Sequence, residues 1–219
     1  MAGKVFSKNK KLEKPGMVFP ENIPLEIKTK EHPWVSRGGI KLNHAIKHFA
    51  IPVENKICLD IGASTGGFTD VLLHHGAQKI YAVDVGYGEL AWKLRNDARV
   101  IVMERTNARN LSQELIPDNI GIIVCDASFI GLKTILPAPM QLAGHGCFLV
   151  ALIKPQFEVA KHQVGEGGII RDEKLHMEVC EDIKNWLANQ PKWRVVDVAA
   201  SPILGMEGNK EFLIAAQYD

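Results

Sequence analysis

Five short apolar runs that alternate with helical patterns constrain the fold of this 219-residue chain more than any other feature. The runs lie at 56–61, 79–84, 99–103, 120–125 and 147–153. The helical patterns between them lie at about 66–75, 88–96, 108–116 and 132–143. Near-continuous apolar strands separated by helices are typical of a parallel sheet that is covered on both faces. A further helical pattern begins at Ser36 and ends before Pro52, ahead of the first strand.

The end of the chain departs from this alternation. A helical pattern at about 172–190 is followed by two strand-like runs, 193–200 and 210–216. The nine residues between these runs are too few for a helical crossover, so the two strands are expected to pair antiparallel. The prediction is an α/β, Rossmann-like fold with a seven-stranded, mostly parallel sheet whose last strand is antiparallel. This is the layout of methyltransferase-type sheets, whereas a dehydrogenase would continue its βαβ alternation.

The first 33 residues differ from the rest, because prolines and Gly16 break their short apolar pieces. Such a pattern favours small β pieces or a linker, and it divides the chain into residues 1–33 and 34–219. Residues 1–48 carry ten Lys or Arg and four acidic residues, although the net charge of the chain is only +1. A basic arm on a mildly acidic body suits nucleic-acid binding, and a solvated lysine-rich tail explains the charge equally well.

Composition excludes several classes of protein. The longest apolar run, 147–153, is too short to span a membrane, and no apolar stretch follows the basic N-terminus as in a signal peptide. The four cysteines and eight histidines show no metal-ligand spacing, so no metal site is expected. Reduced, buried thiols indicate a cytoplasmic protein.

A glycine-rich turn, LDIGASTGGFTDVL (59–72), joins the first strand to a helix. Its spacing is not that of a dinucleotide fingerprint. Asp84 ends the second strand, where an acid can accept hydrogen bonds from both ribose hydroxyls of a nucleoside. Asp60 could face the cationic methionine moiety of S-adenosylmethionine, and Asn107 could contact the adenine edge. The turn and Asp84 together favour a nucleoside cofactor over a purely structural turn.

Four ionisable residues, Lys41, Asp126, Lys154 and Glu211, follow or precede predicted elements at one end of the sheet. Ligands bind outside the carboxyl ends of the strands in open α/β sheets. Asp126 and Lys154 should meet there, Glu211 should join them if the last strand lies antiparallel beside the fifth, and Lys41 can cover the same edge. A lysine that has lost its own proton can deprotonate a ribose hydroxyl. For each residue alone, a surface salt bridge is at least as good an interpretation.

Other methyl-transfer chemistries fit the sequence less well. Enzymes that methylate exocyclic amines usually carry an Asn/Asp-Pro-Pro-aromatic motif after the fourth strand, where this chain reads CDASF. Pyrimidine C5 methylation needs a nucleophilic cysteine, and the strand-terminal Cys125 is expected to pack in the core.

Seven blocks of sequence resemble the TlyA family of rRNA 2′-O-methyltransferases, which are related to the FtsJ-like ribose methyltransferases and are often labelled hemolysins. The blocks cover about residues 34–215 and run in this order: VSRGGIKL, LDIGASTGGFTDVLL, YAVDVGYGELAWKLR, ERTNAR, CDASFI, LIKPQFE and SPILGMEGNKEFL. The resemblance places the family's K-D-K-E tetrad on Lys41, Asp126, Lys154 and Glu211. It also implies S-adenosylmethionine as cofactor and methylation of cytidine 2′-hydroxyls in ribosomal RNA. The implied cofactor contacts are Asp60, Gly62, Ala63, Ser64, Thr65, Gly66, Gly67, Phe68, Asp84, Asn107 and Asp126.

The expected partners are ribosomal RNA or ribosomal subunits, with Arg37, Lys41 and Lys154 on the RNA. The family usually begins with a ribosomal-protein-like RNA-binding module, and AGKVFSKNKKLEKPGMVF (2–19) resembles only its last strands. Residues 1–33 are therefore expected to be a truncated remnant of that module with a linker. Two alternatives stay open: a membrane-acting cytolysin, although stable membrane association is not expected, and a non-catalytic ribosome-binding protein. The sequence gives no indication of the oligomeric state.

Overall fold

The computed structural model of the protein describes residues 5–7, 10–11, 20, 22–27, 32–205 and 208–219. It divides into two compact units, Met1–Pro33 and Trp34–Asp219. In the first unit, strands β1 (Val5–Ser7), β2 (Lys10–Lys11) and β3 (Glu26–Ile27) form an antiparallel sheet in the order β2-β1-β3. The small β pieces predicted for this part of the chain are therefore present. Most of segment 2–19 lies outside the described residues.

The second unit is built on a seven-stranded sheet in the order β6-β5-β4-β7-β8-β10-β9. Its strands are β4 (Ile57–Ile61), β5 (Lys79–Val83), β6 (Val100–Met103), β7 (Ile120–Cys125), β8 (Ala143–Ile153), β9 (Trp193–Ala200) and β10 (Phe212–Tyr218). Strands β4 to β8 run parallel, and β10 lies antiparallel between β8 and β9. The predicted fold class is thus confirmed, including the single antiparallel strand.

Helices cover both faces of this sheet. They are α1 (Gly38–His48), α2 (Gly67–His74), α3 (Trp92–Arg95), α4 (Leu132–Ile135), α5 (Pro137–Met140), α6 (Pro155–Glu158) and α7 (Glu173–Ala188). On one face, α1 and α2 bury Leu42, Ile46 and Leu72 against the strands. On the other, α4, α5 and α7 bury an apolar set that includes Ile183 and Leu187. Burying such side chains removes roughly 25 cal/mol of unfavourable hydration per Å² and stabilises the packing of the helices on the sheet.

Three of the predicted helices are much shorter in the structure. The 88–96 pattern yields only α3, because Ala91 is still extended (φ −56°, ψ 137°). The 108–116 pattern yields a single 3₁₀ turn, Ala108–Asn110. The 132–143 pattern splits into α4 and α5 around Leu136, since Pro137 and Pro139 lack the amide hydrogens that a continuous helix needs. Within the described part of the chain, no helix has the length and apolarity required to span a bilayer.

Candidate active site

A cavity of about 630 Å³ opens where the carboxyl ends of β4, β7 and β8 meet. Its wall comes from α1, the turn after β4, the loops after β7 and β8, and the loop before β10. The volume lies in the usual range of small-molecule sites, about 300–1,000 Å³. All four members of the predicted tetrad line it.

The tetrad is arranged as two lysine–carboxylate pairs. Lys41 Nζ lies 2.5 Å from Glu211 Oε2, and Lys154 Nζ lies 2.7 Å from Asp126 Oδ1. Lys41, Lys154 and Glu211 are 8%, 7% and 4% exposed. Charged side chains are seldom buried to this extent unless they are paired. The structure therefore brings together four residues that are spread over 170 positions of sequence.

Sheet topology explains how three of them meet. Asp126 directly follows β7 and Lys154 directly follows β8, and these strands are parallel neighbours. Glu211 directly precedes β10, whose first residue, Phe212, pairs with Ile153. The antiparallel direction of β10 thus places Glu211 next to the end of β8. Lys41 comes from α1, which packs across α2 at this edge.

Neutral oxygens complete the surroundings of Lys154. Its Nζ donates to Ser128 Oγ at 2.8 Å and to the Asp126 carbonyl oxygen at 3.3 Å. With the Asp126 carboxylate, the amine therefore has three oxygen partners, all in the loop after β7.

The glycine-rich turn forms the opposite wall. Gly62 has a left-handed backbone (φ +77°), and a Cβ there would lie 3.0 Å from Ala127 Cα, so a larger residue would push the loops after β4 and β7 apart. A Cβ at Gly67 would lie 2.2 Å from Ser36 Oγ, so α1 and α2 can approach only because this residue is glycine. Gly62, Ala63, Ser64, Thr65, Gly67 and Phe68 all line the cavity. Gly66 does not, since it faces the side chains of Leu90 and Leu94.

Asp84 adjoins the turn from the end of β5. Its carboxylate accepts hydrogen bonds from the amides of Ser64 (2.8 Å) and Gly86 (2.7 Å). Asp84 does not itself line the cavity, but through Ser64 it fixes the turn that does.

Comparison with known proteins identifies the type of enzyme. Residues 34–218 match the FtsJ-like methyltransferase family. The 16S/23S rRNA (cytidine-2′-O)-methyltransferase TlyA of Mycobacterium tuberculosis is 47% identical over 214 residues, which cover 97% of this chain and 80% of that protein. The chain belongs to the TlyA family of FtsJ-like methyltransferases. The resemblance and the enzyme class predicted from the sequence are confirmed.

Other members of the family carry a different name. Hemolysin A of Brachyspira hyodysenteriae is 43% identical over 97% of this chain and 88% of its own length. A solved structure of a Streptococcus thermophilus protein with a hemolysin name is 41% identical, with a TM-score of 0.84 over 100% of this chain and 80% of that one. An O-methyltransferase from Bacillus cereus, 14% identical with a TM-score of 0.56 over 86% of this chain and 84% of that one, shares the fold.

Asp60, a predicted cofactor contact, is fully buried and does not line the cavity of this TlyA-family protein. Its Oδ2 accepts a hydrogen bond from Thr69 Oγ1 at 2.6 Å, whereas Oδ1 has no partner among the described residues. Burial raises the pKa of Asp60 to about 7, and the nearby carboxylates of Asp126 and Asp84 act in the same direction. Asp60 thus supports the start of α2 from beneath the turn.

The two remaining predicted contacts occupy different places. The Asn107 side chain accepts from the Arg109 amide at 3.1 Å and starts a 3₁₀ turn, outside the residues that line the cavity. Its adenine contact stays a prediction. Arg37 does line the cavity; it is exposed and donates to the Leu204 carbonyl oxygen at 3.1 Å.

Sequence reasoning missed several residues of the TlyA-family site. Besides Ser128, they include Phe129, Gln156, Phe157 and Asn209, all of which line the cavity. Phe129 is 90% exposed and has a left-handed backbone (φ +65°), and its ring lies 5.1 Å from that of Phe157. An aromatic residue in the loop after a strand, as in CDASF and KPQF, was the available signal.

Cys125 is not suited to act as the nucleophile that pyrimidine C5 methylation requires. It is buried at the end of β7, and burial raises the pKa of its thiol to about 12. Nucleophilic cysteines need a thiolate, which is favoured by exposure and nearby positive charge. Cys125 therefore packs in the core, as predicted from the sequence.

Proposed function

We propose that this protein uses S-adenosylmethionine to methylate ribose 2′-hydroxyls in ribosomal RNA, with cytidine as the modified nucleotide. The observation that carries the proposal is the meeting of two lysine–carboxylate pairs with a glycine-rich turn in one cavity. The Mycobacterium tuberculosis relative is named as a cytidine-2′-O-methyltransferase of 16S and 23S rRNA, which supports the same substrate.

The residues present fit this cofactor. The turn from Gly62 to Phe68 offers backbone and small side chains to the cavity, and the N-terminus of α2 opens beside it. Helix N-termini and bare backbone suit the polar end of a nucleoside ligand. Asp84 holds the turn and has carboxylate lone pairs left for ribose hydroxyls. When bound, S-adenosylmethionine supplies an electrophilic methyl group on its sulfonium sulfur.

Lys154 acts as the base. A ribose 2′-hydroxyl is a poor nucleophile until its proton leaves, and a positioned amine can take that proton as the oxygen attacks. Lys154 must first lose its own proton, and it returns to the ammonium form when it accepts the one from the substrate. The Asp126 carboxylate, 2.7 Å away, stabilises that ammonium.

Lys41 and Glu211 orient the nucleotide. Their pair is buried at the same cavity, so its charges are screened less than those on the surface. Lys41 can donate to the ribose oxygens, and Glu211 holds the Lys41 amine in one position. The pair supplies geometry for the attack, whereas the proton goes to Lys154.

The RNA side of the cavity is marked by Arg37 and by the exposed ring of Phe129. Aromatic side chains bind unstacked bases, each with roughly 1–3 kcal/mol. Residues 1–33 serve as an RNA-binding segment with a linker, and residues 34–219 form the methyltransferase domain. The lysines in the basic 1–48 stretch suit contacts with phosphates. The protein works in the cytoplasm on rRNA or ribosomal subunits.

The test is transfer of tritiated methyl groups from S-adenosylmethionine to ribosomal subunits that lack the modification, followed by mapping of the labelled nucleotide. Label on a ribose 2′-oxygen is expected. Label on a base atom, or no transfer to either subunit, would overturn the proposal.

Two variants of Lys154 distinguish its role as a proton acceptor from the effect of its positive charge. Lys154→Ala and Lys154→Arg should both lose methyl transfer by at least about 100-fold, the usual contribution of a general base. Arginine keeps the positive charge beside Asp126 but does not deprotonate. Binding of S-adenosylmethionine, measured by calorimetry, should persist. Lys93→Arg is the matched control, since Lys93 pairs with Asp70 and does not line the cavity.

The hemolysin names of some relatives require a test of membrane lysis as well. Liposome leakage should be absent for the wild-type protein. Leakage that persists in Lys154→Ala would favour a membrane-acting cytolysin instead. Subunit binding without any transfer would favour a non-catalytic ribosome-binding protein.

A further inference from the structure

The Lys154 amine is held entirely by one short loop. Its three oxygen partners are Asp126 Oδ1 at 2.7 Å, Ser128 Oγ at 2.8 Å and the Asp126 carbonyl oxygen at 3.3 Å. Ser128 Oγ and the Asp126 carbonyl oxygen accept hydrogen bonds from the amine, whereas Asp126 Oδ1 forms an ion pair with it outside hydrogen-bond geometry. The two short contacts come from two different side chains.

Ser128 is the most exposed of the residues in this contact. It is exposed and lines the cavity, whereas Asp126 is half-buried and Lys154 is 7% exposed. The residue that follows, Phe129, has a left-handed backbone, which costs a non-glycine residue on the order of 1–3 kcal/mol. This strained residue lies directly beside the serine that contacts the amine.

A free amine must be held differently from an ammonium. It has two hydrogens and a lone pair, and the lone pair has to point at the substrate hydroxyl. Ser128 Oγ and the Asp126 carbonyl oxygen, the two hydrogen-bond acceptors of the amine, can take both hydrogens. The lone pair then remains for the substrate hydroxyl.

We propose that Ser128 is a positioning residue for Lys154 in methyl transfer, a role that rests on the proposed function. Its hydroxyl fixes the second hydrogen of the free amine and thereby aims the lone pair. Without it, the amine keeps only its contacts with Asp126, at the end of a flexible four-carbon stem. Of the other charged groups at this cavity, Lys41 and Glu211 are paired with each other, and Arg37 donates to the Leu204 carbonyl oxygen.

Ser128→Ala and Ser128→Thr test this role. Ser128 is exposed, so neither variant should disturb folding, and thermal unfolding checks this. In Ser128→Ala, kcat for methyl transfer should fall roughly tenfold, about the value of one hydrogen bond, while the KM for RNA and the Kd for S-adenosylmethionine stay unchanged. Ser128→Thr keeps the hydroxyl and should recover most of the rate.

The kinetic pattern distinguishes positioning from RNA contact. A raised KM with unchanged kcat would make Ser128 an RNA-binding residue and overturn the proposal, and so would an unaffected Ser128→Ala enzyme. In the Lys154→Ala background, Ser128→Ala should cause no further loss, because the serine acts through the lysine. An equal further loss there would overturn the role. A wild-type protein without transfer would overturn the proposed function together with this role, whereas an active wild type with an unaffected variant overturns the role alone.

Discussion

Lys41 Nζ and Glu211 Oε2 lie 2.5 Å apart at the cavity, although 170 positions of sequence separate them. Both side chains are more than nine-tenths buried. The pair joins α1, which precedes the sheet, to the loop before β10, which is its last strand. This charge pair therefore links two distant parts of the chain at the candidate active site.

Removing one member of this pair should destabilise the fold more than removing both members. Lys41→Met or Glu211→Gln alone leaves one buried group without its partner, which typically destabilises a protein by about 3–5 kcal/mol. The double variant leaves no buried charge and should be more stable than the less stable single variant. Urea unfolding of the four proteins gives the coupling energy. Strictly additive effects would show that the two residues do not interact in solution.

The methyl-transfer activity of these four proteins should not follow their stability. The double variant lacks both groups that orient the ribose, so its methyl transfer should stay as low as that of the single variants. Transfer that recovers together with stability would mean that the pair is only structural.

Phe129 should contribute to RNA binding and not to the stability of the fold. Its ring is 90% exposed, so Phe129→Ala should change the free energy of unfolding by less than about 0.5 kcal/mol. If the ring stacks on a base, the KM for RNA should rise roughly tenfold or more, since such stacking is worth about 1–3 kcal/mol. Steady-state kinetics on ribosomal subunits measures this.

A glycine at position 129 also tests the effect of the left-handed backbone on stability. Phe129→Gly relieves the left-handed strain and should be about 1 kcal/mol more stable than Phe129→Ala, with the same loss of RNA affinity. Leu115→Ala is the control, because Leu115 is 52% exposed and does not line the cavity. An equal effect of the two alanine variants would argue against a specific role for Phe129.

The site was predictable from the sequence where strand order determines position. Asp126, Lys154 and Glu211 each adjoin a strand end, and the order of the strands requires those ends to meet. The loops were not predictable in this way. Ser128 reaches Lys154 next to a left-handed Phe129, a backbone conformation that the apolar pattern does not encode.

Asn209 illustrates a second limit of the sequence. It is 2% exposed, and its amide donates to the Gly168 carbonyl oxygen (3.0 Å) and accepts from the Ile170 amide (3.1 Å). These bonds join two loops about forty positions apart, so only the folded chain reveals the partners. Periodicity likewise overestimated α4 and α5, because it gave too little weight to two prolines.

Gly205 should be required for the position of Glu211. A Cβ at this residue would lie 2.2 Å from Glu211 Oε1 and 2.6 Å from its Cδ. Gly205→Ala should therefore displace the carboxylate from Lys41 and lower kcat by roughly tenfold or more. Adding Glu211→Asp, which shortens the side chain by one methylene, makes room and should recover part of the rate. If Glu211→Asp lowers the rate of Gly205→Ala as much as that of the wild type, the clash is not the cause.

Asp60 should make stability depend on pH near neutrality. Its pKa is about 7 in the fold against an ordinary value of 3.8, so between these values the folded state binds a proton that the unfolded state has released. The stabilising effect of this group is full below about pH 4 and is lost as the pH rises through 7. Asp60→Asn removes the titration, and the change in the free energy of unfolding from pH 4 to 8 should be smaller than in the wild type by a few kcal/mol. Other groups titrate equally in both proteins and cancel in the difference, which urea unfolding across this range measures. A difference between the two proteins that stays constant with pH would show that Asp60 titrates normally in the fold.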